Sequence, residues 1–355
     1  MSVQQADRSI TASPPRLLGL ATAVPPNILR QTEVRAEASR FFGPESERLM
    51  PVFENSGIET RHGAVPIDWY LEPRGWIDRN EAYLAAALPL IEEAALKALD
   101  AAGLGPEDID TIVTVSTTGI ATPSLDAQLM ERLNFRRHTQ RLPIFGLGCA
   151  GGVLGLSRAA ALARAEPGSR VLLLVVELCT LSFRKNDRGK SNIVATALFG
   201  DGAAGAVIST RGEGPSLGPA GEHCWPDSLG IMGWDVAVDG LKAIFSRDIP
   251  ALVRNEMRSV VDAFLTRHEL DFGDFDGITC HPGGTKVIAA LEEVFERPAG
   301  SMVEAREILR DYGNMSAPTV LFVLDAMLKA DPKRRLLLTA MGPGFCAAVQ
   351  VLDGR

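Results

Sequence analysis

No run of basic residues interrupts this acidic chain: 36 Lys and Arg stand against 44 Asp and Glu, a formal net charge of −8. Without such a patch a nucleic-acid partner is not expected. No stretch approaches the ~18 uninterrupted apolar residues of a membrane span, and the polar opening residues hold no apolar core of signal-peptide length. Residues 1–15 therefore read as a flexible N-terminus, and the chain as cytoplasmic without membrane insertion. Cysteine is scarce. Cys149, Cys179, Cys224, Cys280 and Cys346 have no CxxC spacing, so neither a zinc site nor a disulfide framework is indicated, and no metal is expected. Histidine is equally scarce, at five.

What is present is apolar helix and strand. At 355 residues and 46% hydrophobic, the chain exceeds what one core usually organises, so two subdomains are expected. Arg16 to Val24 reads as a strand, Gln31 to Phe42 as a helix, and Asp68 to Gly75 as a packed loop. Arg79 to Ala102 carries apolar residues at helical spacing and stops at Gly103. An acidic turn at Glu107-Asp108 and a strand from Thr111 to Ser116 follow. The same order returns later: helix from Arg254 to His268, acidic turn from Asp271 to Asp276, strand from Gly277 to Cys280. Asp110 and Asp276 lie 166 residues apart, and Pro167 and Pro332, which open the apolar runs Arg170 to Glu177 and Arg335 to Met341, lie 165 apart. Such continuous apolar strands suit a sheet covered on both faces by helices. The shared offset points to an internal duplication, with residues 16–215 as one half and 216–355 as the other.

The chain is organised around Gly148-Cys149-Ala150-Gly151-Gly152, between a strand over Leu142 to Gly146 and a helix over Val153 to Ala165. Glycines allow sharp dihedrals and close approach of a substrate, and the positive end of a helix favours a thiolate. Adding 165 to Cys149 lands on Asn314, in Tyr312-Gly313-Asn314-Met315-Ser316, just before the apolar helix Val320 to Lys329. Duplicated helices would lie side by side, making Cys149 and Asn314 neighbours. Of the histidines, only His281 ends a strand at a glycine-rich loop, Pro282-Gly283-Gly284. Alone, each has a plainer role: a small buried residue at a turn, an N-cap, a structural hydrogen-bonder. Together they form a nucleophile, an amide donor and a proton-handling imidazole.

These motifs, with Phe199-Gly200-Asp201-Gly202 and Gly342-Pro343-Gly344-Phe345, resemble in identity and order those of the chalcone-synthase-like, or type III, polyketide synthases, over about Arg16 to Leu352. The resemblance implies an α/β fold of thiolase-like, duplicated αβαβα, five-layer type, a homodimer, coenzyme A thioesters as substrates and no permanently bound cofactor. It implies that Cys149 accepts an acyl group from a starter acyl-CoA, and that His281 and Asn314 stabilise the enolate left when malonyl-CoA loses carbon dioxide. Phe199 matches a gatekeeping phenylalanine, with a core aromatic as the plainer alternative. Gly342, Pro343 and Gly344 match a loop at the cavity floor, and Ser316 belongs to the Gly-Asn-Met-Ser motif. Arg48 and Lys286 fall where basic residues would help hold coenzyme A phosphates.

Departures from the plant pattern bear on the substrate. Ala243 stands where plant enzymes place a second phenylalanine, Cys179 and Ser182 replace cavity threonines, and Thr117 retains a third. A methyl in place of a phenyl ring opens space. The expected activity is condensation of a medium- or long-chain fatty acyl-CoA with several malonyl-CoA units, cyclised to an alkylpyrone, alkylresorcinol or alkylresorcylic acid. The alternatives are a synthase using malonyl-CoA alone, giving a naphthalene or phloroglucinol product, and an initiating condensing enzyme using acyl carrier protein.

Overall fold

The computed structural model describes residues 13–246 and 248–355; most of the expected flexible N-terminus lies outside them. The strands are β1 (Arg16–Ala23), β2 (Asn27–Arg30), β3 (Thr60–Gly63), β4 (Thr111–Val115), β5 (Gln140–Ile144), β6 (Arg170–Leu178), β7 (Asp201–Ser209), β8 (Ser216–Cys224), β9 (Met232–Ala237), β10 (Gly240–Phe245), β11 (Gly277–Cys280), β12 (Arg335–Gly342) and β13 (Cys346–Asp353). The α-helices are α1 (Gln31–Phe42), α2 (Pro51–Glu54), α3 (Trp76–Ala101), α4 (Leu125–Arg132), α5 (Gly151–Ala165), α6 (Lys190–Leu198), α7 (Ile249–Arg267), α8 (Thr285–Val294), α9 (Val303–Tyr312) and α10 (Thr319–Ala330).

Nine strands form a continuous sheet in the order β11-β12-β13-β8-β1-β7-β6-β4-β5. The duplication is visible in this order. β4 pairs parallel with β6, and β11 with β12; β6 pairs antiparallel with β7, and β12 with β13; β1 and β8 then meet at the centre. β5 has no counterpart and leaves an open edge. The continuous apolar runs are covered on both faces, as expected: alternate residues Leu172, Leu174 and Val176 pack toward α3, while Val171, Leu173 and Val175 pack toward α5. α5 and α10 lie between the two halves. They touch closely enough that a Cβ on Gly152 would stand 2.6 Å from Val320 Cγ1 of α10.

Several boundaries move for local reasons. α3 begins at Trp76, where the Asp78 carboxylate reaches back to accept the N–H of the N-cap Gly75 at 2.7 Å, ahead of the first periodic apolar residues. α7 begins at Ile249, with Pro250 in its first turn, where a missing N–H costs nothing. One expectation is corrected. β8 and β13 pair in a register that sets Cys224 opposite Cys346, and the two are joined in a disulfide. Their 122-residue separation hid a pairing that only the strand register creates. Cys149, Cys179 and Cys280 are free. Among the described residues, no helix is long and apolar enough to cross a membrane.

Candidate active site

Cys149 sits in a single 3-10 turn, Gly148–Ala150, that runs directly into α5. Gly148 has φ +47°, and a Cβ there would lie 2.6 Å from Pro343 Cδ, so the turn and the 342–344 loop fit only around a glycine. The Gly148 N–H donates to Thr117 Oγ1 at 3.2 Å. A hydrogen-bonded thread then joins the three expected catalytic groups. Ser316 Oγ donates to Cys149 Sγ at 3.4 Å, and the Ser316 N–H donates to Asn314 Oδ1 at 2.8 Å. Asn314 Nδ2 donates to the Gly283 carbonyl at 3.3 Å, and the Gly283 N–H returns to the His281 carbonyl at 3.0 Å. Ser316 adopts φ 58°, unusual for a residue with a side chain, as part of the turn that faces its hydroxyl to the sulfur.

All three side chains are buried. Burial, the largest cause, and the Glu177 carboxylate together push the Cys149 thiol up to about 11 against the lowering effect of the Ser316 hydrogen bond. Burial pushes the His281 imidazolium down to about 4, and neither ring nitrogen has a hydrogen-bond partner. The helix-terminus field invoked from sequence therefore acts against a large desolvation penalty. In so dry a setting a lone charge on either group is penalised. Glu177, missed in the sequence, lies beside them: its Oε2 accepts the Thr117 N–H at 2.9 Å and the Thr118 hydroxyl at 2.8 Å, and burial pushes it up to about 7.

Phe199 follows α6 and pairs by a single bridge with Asn314. It clusters with Cys179, Ala195 and Ala243, and the space vacated at Ala243 is not open. In the β9–β10 hairpin Trp234 is the direct cross-strand partner of Ala243, and Trp234 and Phe245 stand 5.8 and 5.4 Å from Phe199 between ring centroids. The sequence held a signal for this: the Asp239-Gly240 turn flanked by alternating apolar residues marks a hairpin, and its register follows. Room lies on the other side of Phe199. A narrow, mostly apolar cavity of about 60 Å3 runs from Phe199 and Cys179 past Tyr70 and Phe183 to Val34 and Phe41. Ser182 borders the cavity, and its hydroxyl donates to the Cys179 carbonyl at 2.7 Å. Arg48 and Lys286 are both exposed; Thr285, next to Lys286, donates its Oγ1 to the carbonyl of Asn55, seven residues after Arg48, at 3.1 Å.

Residues 72–212 match the model of the chalcone and stilbene synthase N-terminal domain, and residues 217–350 that of the C-terminal domain. The chain is 39% identical to a 1,3,6,8-tetrahydroxynaphthalene synthase of Streptomyces peucetius subsp. caesius, over 93% of this chain and 91% of that protein. It is 37% identical to a putative chalcone synthase of Bacillus subtilis (strain 168), over 93% and 96%. The crystal structure of the 1,3,6,8-tetrahydroxynaphthalene synthase of Streptomyces coelicolor A3(2), a bacterial type III polyketide synthase, superposes with a TM-score of 0.91 at 30% identity, covering 95% of this chain and 99% of that one. The crystal structure of CsyB complexed with CoA-SH, at 21% identity, shares the fold with a TM-score of 0.87. Fold, both domain models and full-length relatives agree: this chain belongs to the chalcone and stilbene synthase family and is a type III polyketide synthase.

Proposed function

We propose that the enzyme loads a medium- or long-chain fatty acyl group from coenzyme A onto Cys149, extends it with malonyl-CoA, and releases a cyclised alkylpyrone, alkylresorcinol or alkylresorcylic acid. The supporting observation is the apolar cavity beyond Phe199 and Cys179. Each methylene buried there would contribute ~0.8 kcal/mol to holding the starter. His281 takes the Cys149 proton as sulfur attacks the starter thioester; coenzyme A leaves and a new thioester forms. Malonyl-CoA then loses carbon dioxide, its enolate oxygen held by the Asn314 amide and His281; the enolate carbon attacks the acyl-Cys149 carbonyl, the carbon–sulfur bond breaks, and the Cys149 thiolate leaves as the β-ketoacyl-CoA forms. Phe199 gates the entry, and Arg48 and Lys286 steer the phosphates. A panel of acyl-CoA starters with labelled malonyl-CoA tests this: medium and long chains should be incorporated. Product from malonyl-CoA alone, with no acyl starter used, would overturn it.

That second outcome has its own support. Trp234 and Phe245 fill the side opened by Ala243, narrowing the main cavity toward small intermediates, and two of the relatives above are tetrahydroxynaphthalene synthases. Trp234→Gly discriminates between cavity control and drift. Removing an indole from this cluster should shift the product profile toward longer or differently cyclised chains at similar Cys149 acylation, read by mass spectrometry. An unchanged profile would remove Trp234 from the cavity wall.

We also propose a homodimer. β5 leaves the sheet edge open, and the apolar side chains nearby are exposed: Leu142 at 38%, Ile120 at 50% and Phe145 at 61%. Such an edge invites pairing or burial. Sedimentation should give twice the 38.0 kDa chain mass, and Phe145→Glu should shift it toward the single chain.

A further inference from the structure

Arg61 is the largest fully buried side chain among the described residues, at 1% exposure. Among those residues no carboxylate lies within ion-pair distance of it; its guanidinium bonds go to two backbone carbonyls and one side-chain amide. Nη1 donates to the Thr196 carbonyl at 2.7 Å and the Phe199 carbonyl at 3.0 Å, and Nη2 donates to Gln31 Oε1. Gln31 Nε2 in turn donates to the Ala197 carbonyl at 3.0 Å, and the Asn314 N–H donates to the Leu198 carbonyl at 2.8 Å. All four carbonyls at the end of α6 are thereby taken, two by Arg61, one by Gln31 and one by Asn314. A helix C-terminus has unpaired carbonyls and a negative end, and a cation there answers both. Burial pulls Arg61 down to about 10, which leaves it charged at neutral pH.

We infer that Arg61, held by Gln31, is a positioning residue that fixes Phe199 and the Asn314 backbone in one register. The Gly200 N–H closes the link by donating to the Asn314 carbonyl at 3.0 Å. The fit is tight on every side. Gly313 has φ +69°, and a Cβ there would lie 2.9 Å from the Leu198 carbonyl and 3.5 Å from Arg61 Cβ. Arg61 touches neither Cys149 nor its turn. Its loss should therefore misplace the gate and the amide while leaving the nucleophile in place.

The inference rests on the proposed roles of Phe199 and Asn314. It is tested in the full chain with Arg61→Met, Arg61→Lys and Gln31→Met, each checked for its melting temperature. Two steps are measured: single-turnover acylation of Cys149 by an acyl-CoA, and steady-state condensation with malonyl-CoA. Arg61→Met should lower condensation ~100-fold, the loss that a small misplacement of reacting groups brings, with acylation within ~3-fold. Arg61→Lys, which keeps the charge, should recover ~10-fold of that loss, and Gln31→Met should show the same split at ~10-fold. A folded Arg61→Met with condensation within ~2-fold of the parent, or with both steps falling together, overturns the inference. Should Arg61→Met fail to fold, the split in the other two variants decides. Asn314→Asp without effect on condensation would instead sink the underlying site reading, whatever Arg61 does.

Discussion

Cys149→Ala is expected to abolish polyketide formation, with turnover down at least ~1000-fold, because no other free thiol can receive the acyl group. Cys179 and Cys280 are both buried, with no hydroxyl or amide thread like the one reaching Cys149 Sγ, and burial pushes both thiols up. Release of carbon dioxide from malonyl-CoA should persist in this variant, since the enolate donors are intact. Retained product formation would remove Cys149 from the mechanism. The partner experiment is His281→Ala with iodoacetamide labelling of Cys149. Burial already holds the Cys149 thiol up at about 11 with His281 in place, so thiolate at neutral pH depends on passing the proton to the imidazole. Without that acceptor the thiolate fraction falls with every unit below that value, so labelling at pH 7 should drop on the order of 100-fold and recover as pH rises. Equal labelling with and without His281 would sever the pair.

Asn314→Asp should lower condensation ~100-fold or more. The exchange keeps the size of the side chain and the oxygen that accepts the Ser316 N–H, but replaces the donor to Gly283 with a second acceptor. A carboxylate set against a developing enolate would repel the charge the amide stabilises. Acylation of Cys149 needs no such donor and should survive, which separates this variant from Cys149→Ala. Equal loss in both steps would assign Asn314 to holding the fold rather than the enolate.

Much of the architecture was legible in residue order. The offset of 165 residues that led from Cys149 to Asn314 reflects the repeated pairing of β4 with β6 and β11 with β12, and periodicity located α1 and β11 to the residue. What stayed hidden depends on register or burial. Ala243 signalled space, yet its meaning changed once Trp234 proved to be its cross-strand partner. Arg61 and Gln31 read as ordinary polar residues at the edges of β3 and α1, because nothing local shows that both side chains turn inward onto the end of α6. Burial also reversed a simple electrostatic argument: a helix start favours a thiolate, but a dry cleft penalises any lone charge more strongly.

The β9–β10 hairpin hydrogen-bonds to itself as a separate two-stranded unit and joins none of the nine sheet strands. Trp234, Ala243 and Phe245 all ride on it, while Cys149, His281 and Asn314 are rooted in the main framework. Substitutions in this ribbon can therefore remould the reaction vessel without loosening the machinery that makes carbon–carbon bonds. Under the proposed function, a ribbon transplanted from a relative should carry product identity with it.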